Sequence, residues 1–86
     1  MLAVPAQAHM PTTCGDHDEI VDLLSTKYNE WRIFWGRAGE GAVVEVYGEP
    51  HRETFTALIR LASGAACLLA AGEEWEAEDL PAHTSD

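Results

Sequence analysis

Positive charge is scarce in this sequence: one lysine and four arginines stand against fifteen aspartates and glutamates. Binding to nucleic-acid phosphates needs clustered Lys and Arg that displace counterions, and these five scattered bases form no cluster. The same deficit argues against a helix-turn-helix regulator and against attraction to an anionic membrane surface. Cysteine is also scarce. Cys14 and Cys67 are the only two, whereas a small secreted scaffold is generally held by four or more. The expectation is two reduced thiols in a cytoplasmic protein, with Cys67 buried as a small apolar side chain. Long apolar runs are missing, since the most apolar stretch, Leu61 to Gly72, has 12 residues where a spanning helix needs about 20. The opening MLAVPAQAH contains Ala6-Gln7-Ala8, the form of a signal-peptidase site. It has no basic segment and almost no apolar core before that site, so residues 1–15 read as a flexible leader, with Met10 a possible working start.

Catalytic signatures are absent as well. No G-x-S-x-G, P-loop or H-E-x-x-H occurs, and so short a chain has little material for a closed cleft. No catalytic residue and no cofactor is assigned, and the chain is expected not to be an enzyme. Cys14-x-x-His17 is half of a zinc site that His9, His51, His83 or Cys67 would have to complete. A strong zinc signal needs two paired half-sites, so no metal is assigned.

What remains is one domain's worth of chain, 86 residues of which 47% are hydrophobic, enough for one modest core. The net charge of −10 is unevenly spread. Residues 16–24 carry four acids and no base, residues 25–72 are balanced at five of each, and residues 73–86 carry six acids and no base. The first acidic block explains itself. In Asp16-His17-Asp18-Glu19, Asp16 is placed as a helix N-cap with Glu19 three residues on, a capping-box spacing, and anions suit a helix N-terminus. Ile20, Val21, Leu24 and Tyr28 then recur near helical spacing.

WRIFWGRAGEGAVVEVYG follows, with aromatic and β-branched residues alternating around a glycine-rich turn. It predicts a two-stranded hairpin over 31–36 and 42–47. A charged residue belongs in water, so Glu45 is expected to face out. That turns Ala42, Val44 and Val46 inward with Trp31, Ile33 and Trp35, and leaves Phe34, Val43 and Tyr47 as an outer apolar group. From Pro50 to Ala71 the chain reads as a long helix stopped by Gly72. One apolar stripe holds Phe55, Leu58, Ile59, Ala62, Ala65, Ala66 and Leu69, and a second holds Ala57, Leu61, Gly64 and Leu68. The expected fold class is therefore α+β in the order helix, two-stranded antiparallel hairpin, long helix and short acidic C-terminal segment. The single domain covers 16–80, both helices pack on one face of the hairpin, and residues 81–86 form a frayed end.

Glu73-Glu74-Trp75-Glu76-Ala77-Glu78-Asp79-Leu80 would then follow a helix C-terminus, where the dipole disfavours anions. The plain reading is a solvated segment with Trp75 and Leu80 docked on the core. The functional reading is a contact surface for a protein with a basic face, steered by the carboxylates and anchored by Trp75. Glu73, Glu74, Trp75, Glu76, Glu78 and Asp79, with Phe34 and Tyr47, are the candidate partner-binding residues. Leu61, Gly64 and Leu68 are candidates for self-association as a homodimer, the alternative being edge-to-edge pairing of two hairpins. The sequence thus points to a non-catalytic interaction module of inhibitor or adaptor type. Its rival is a nucleic-acid mimic whose carboxylates stand in for phosphates.

Overall fold

The computed structural model of the chain describes residues 13–81. Residues 1–12 of the expected leader 1–15, Met10 included, and 82–86 of the expected frayed end 81–86 lie outside the described residues, while Cys14 and Gly15 of that leader belong to a strand. The chain runs through β1 (Cys14–Asp16), α1 (His17–Lys27), β2 (Trp31–Arg37), a 3-10 turn at Gly39–Gly41, β3 (Val43–Gly48), β4 (Thr54–Arg60) and β5 (Ala65–Glu73). The five strands form one antiparallel sheet in the order β1-β5-β4-β3-β2.

This corrects the expected α+β arrangement. The long helix from Pro50 to Ala71 does not exist; β4, a turn and β5 occupy it. Thr54-Phe55-Thr56 and Leu58-Ile59 have the branched and aromatic composition of a strand. Gly64, at φ +97°, takes the left-handed conformation that the turn requires, and its N–H donates to the Leu61 carbonyl. The two apolar stripes of the imagined helix belong to two strands, each with two faces. The isolated two-stranded hairpin is corrected too, since β2 and β3 lie near the expected positions but as two members of a five-stranded sheet.

The start of α1 follows the capping signal. Asp16 sits in extended conformation and its carboxylate accepts the Glu19 N–H at 3.1 Å. The helix ends where Asn29 turns left-handed, at φ +55°. The N–H groups of Tyr28 and Glu30 both return to the Leu24 carbonyl, which folds Glu30 back under the helix. Leu24 of α1 meets Tyr47 and Leu58 of the sheet in the core, with Ile20, Val21 and Leu68 around them.

Cys14 and Cys67 are joined by a disulfide, which corrects the expectation of free thiols. The two residues are direct cross-strand partners of β1 and β5. The ladder bonds fall on their neighbours, with Leu68 N–H donating to Thr13 and His17 N–H to Gly64. The cysteines therefore form a non-hydrogen-bonded pair, the antiparallel position at which side chains approach most closely.

Candidate functional site

Two features stand out: a buried ionic network beneath the start of α1, and the aromatic edge of the sheet with the acidic segment beside it. Register explains the first. Glu45 on β3 lies opposite Leu58 of β4 and Trp35 of β2, on the face that α1 covers. Glu45 is 0% exposed. Its Oε1 accepts from His17 Nε2 at 2.7 Å and from the Tyr47 hydroxyl at 2.7 Å. Its Oε2 accepts from Arg32 Nη1 at 3.2 Å, with Arg60 Nη1 at 4.0 Å. His17 Nδ1 lies 3.0 Å from Asp18 Oδ1. Both imidazole nitrogens thus face carboxylates, and only the protonated ring can donate to both.

The proton affinities follow. Burial works against the His17 imidazolium, but its bonds to Glu45 and Asp18 outweigh burial and hold its pKa above the usual 6.5 despite Arg60 nearby. Burial likewise opposes the Glu45 carboxylate, and the bonds from His17 and Tyr47 outweigh it, so its pKa falls below the usual 4.5. Burial first, and Glu45 second, push the Tyr47 hydroxyl well up. His17 contributes stability in full below pH 6.5 and loses it as pH rises through its higher folded value. Glu45 contributes in full above pH 4.5 and loses it as pH falls through its lower folded value. Urea midpoints measured across pH should therefore peak between about 4.5 and 6.5 and decline on the alkaline side. His17→Gln should flatten that alkaline decline, and an unchanged decline would show that His17 is not its cause.

The expected facing of β3 is inverted. Glu45 and Tyr47 lie inside, while Val44 and Val46 are on the face away from α1. Tyr47, expected at a partner surface, is buried in the network. His17 and Cys14, the imagined zinc half-site, are held by Glu45 and the disulfide. Among the described residues no group of three or more His, Cys, Asp or Glu could hold a metal ion. The network escapes a local reading because its members lie 28 residues apart in the chain. A lone acid inside Val43-Val44-Glu45-Val46-Tyr47 is the one signal the sequence offers for it.

The second feature begins at β2, which borders only β3. Trp31, Ile33, Phe34 and Trp35 are each 45–56% exposed. A register shift between Arg32 and Phe34 leaves Ile33 unpaired. Trp31 pairs with Gly48, and the Trp75 ring lies against Gly48 so closely that an added Cβ would sit 2.7 Å from it. Trp75 Nε1 donates to the Glu49 carbonyl at 3.2 Å, and its backbone N–H to the Arg52 carbonyl. Glu74 N–H bonds the Glu53 carbonyl. The acidic segment is thus fastened beside the β3–β4 turn, next to the first residue of β2.

Glu73, Glu74, Glu76, Glu78 and Asp79 are all exposed, and among the described residues none is in an ion pair. No base among the described residues forms an ion pair with these acids, although Arg52 stacks on Trp75 in their midst. Arg32 and Arg60 face Glu45, Arg37 lies over Trp35, Arg52 over Trp75 and Lys27 over Tyr28. Of the other candidates, Phe34 is exposed on β2 and Leu61 on the β4–β5 turn, while Gly64 shapes that turn and Leu68 faces α1 from β5. They share no helical stripe, so the expected helix pairing has no basis. No helix among the described residues is long and apolar enough to cross a membrane. No protein-family model matches the chain, and neither a curated protein nor a solved structure matches it.

Proposed function

We propose that this chain is a non-catalytic interaction module that takes up a partner protein along the β2 edge, with the acidic segment favouring a partner of basic surface. The observation that carries this reading is the exposure of four large apolar side chains on one edge strand of a small domain. An edge presents unpaired backbone donors and acceptors, and soluble proteins ordinarily blunt such edges with charge or cover. Here Trp31, Ile33, Phe34 and Trp35 expose a large apolar surface on a strand that also carries Arg32 and Arg37, both over Trp35, which suits strand addition with aromatic anchors. The unpaired carboxylates of Glu73 to Asp79 flank Trp75, which lies against Gly48, the cross-strand partner of Trp31, and would steer encounter. The Cys14–Cys67 bond supports a compartment where disulfides persist, in place of the reduced cytoplasm expected from the sequence.

The test is quantitative affinity capture with the full chain and two variants. Ile33→Lys/Phe34→Lys should weaken binding of the captured partner more than about tenfold, as loss of hot-spot anchors does. Glu74→Gln/Glu76→Gln/Glu78→Gln should lower mainly the association rate, and by less at high salt. Unchanged affinity for the β2 variant would remove the reading. Affinity that instead collapses with salt and with loss of the acids would turn it toward mimicry of a nucleic acid.

A further inference from the structure

A second site lies between α1 and the β4–β5 half of the sheet. There a cavity of about 490 Å³ is walled by Ile20, Leu23 and Leu24 of α1 and by Phe55, Leu58 and Leu68 of the sheet. Its volume falls in the range of small-molecule sites, roughly 300–1,000 Å³. Two acids line this apolar wall, the exposed Glu73 and the buried Glu30. Glu30 is 2% exposed, its Oε2 accepts from the Thr54 hydroxyl at 2.7 Å, and its Oε1 has no hydrogen-bond partner among the described residues. Buried acceptors are nearly always paired, and an orphaned one calls for a reason. The left-handed turn at Asn29 directs the chain back at this point, so the backbone places the carboxylate here.

We infer that this cavity binds a small amine with an apolar body, of the alkylamine or arylalkylamine class, whose ammonium group pairs with the Glu30 carboxylate. An ionised carboxylate can only accept, and an ammonium is a charged donor that matches it. The aliphatic and aromatic walls take the hydrocarbon. This site uses none of the exposed apolar side chains of β2, but Glu73 of the acidic segment also lines it.

The experiment titrates the full-length oxidised chain with phenethylamine, 2-phenylethanol and 3-phenylpropionate at about 0.15 M salt, where exposed charges are screened beyond roughly 8 Å. Amide shifts in the ¹H–¹⁵N spectrum are the readout. The amine should shift the amides of Leu24, Leu58 and Leu68 and bind at least about tenfold tighter than the alcohol, the gain expected of a charge-assisted bond. The acid should not bind. Glu30→Gln keeps an oxygen for Thr54 and should bring amine and alcohol to equal affinity. Ala71→Trp fills the cavity from β5 while Glu30 itself is kept, and should abolish both; it serves as the decisive variant if Glu30→Gln does not fold. Equal binding of amine and alcohol to the unaltered chain would reduce the site to an apolar hole and overturn the inference. Shifts confined to Glu73–Asp79, no shifts at all, or an amine preference that survives Glu30→Gln would overturn it as well.

Discussion

Glu45→Leu should lower the unfolding free energy by about 3–5 kcal/mol, the usual result of removing one member of a buried charge network. For a chain of this size that is a fall in melting temperature of roughly 12 °C or more. The loss comes from what stays behind. His17 and Tyr47 would be buried without their acceptor, and Arg32 and Arg60 would face leucine. Replacing the inner network as a unit, with His17→Leu/Glu45→Leu/Tyr47→Phe, should recover at least half of the loss, because only Arg32 and Arg60 then lack their partner and both reach water. Thermal unfolding followed by circular dichroism measures both. A shift under about 3 °C for the single variant would mean that the network does not hold α1 on the sheet.

Reduction of the Cys14–Cys67 bond should cost about as much by a different route. The bond joins residues 53 apart in sequence, and closing so long a loop in the unfolded chain is worth about 4 kcal/mol in the chain-entropy account. A chain of 86 residues has a total stability of about 4–13 kcal/mol. Reduction would therefore remove between a third and nearly all of it. Guanidinium unfolding of oxidised chain, reduced chain and Cys14→Ser/Cys67→Ser should show the last two destabilised alike. Thiol titration of the denatured oxidised chain should find no free cysteine. A loss below about 1 kcal/mol would show that the cross-link does little for this fold.

Local chemistry was readable wherever its cause was local. Asp16 and Glu19 mark the start of α1, and the aromatic alternation around the glycine-rich turn marks β2 and β3. From Thr54 to Glu73 the alanines and leucines carry good helix propensity, and tertiary pairing overrides it. A helix that is apolar all round has nowhere to bury both stripes in so short a chain, and that misfit is the sign of two strands. The facing of β3 was illegible for another reason. Alternation identifies two faces but not which one the core takes, and the answer depends on His17, far upstream. The bond between Cys14 and Cys67 likewise exists only because β1 and β5 are neighbours. Glu30 offered nothing in advance, since its burial follows from the turn at Asn29.

The two borders of the sheet are unequal, and this sets how far assembly can go. Among the described residues β2 presents seven and β1 three, the latter tied by its cysteine to β5. A sheet with two receptive borders can add copies without end and grow into fibres. If β2 alone is receptive, as proposed, growth stops after a single addition. Any complex formed there is finite, one chain to one partner or two copies about a twofold axis.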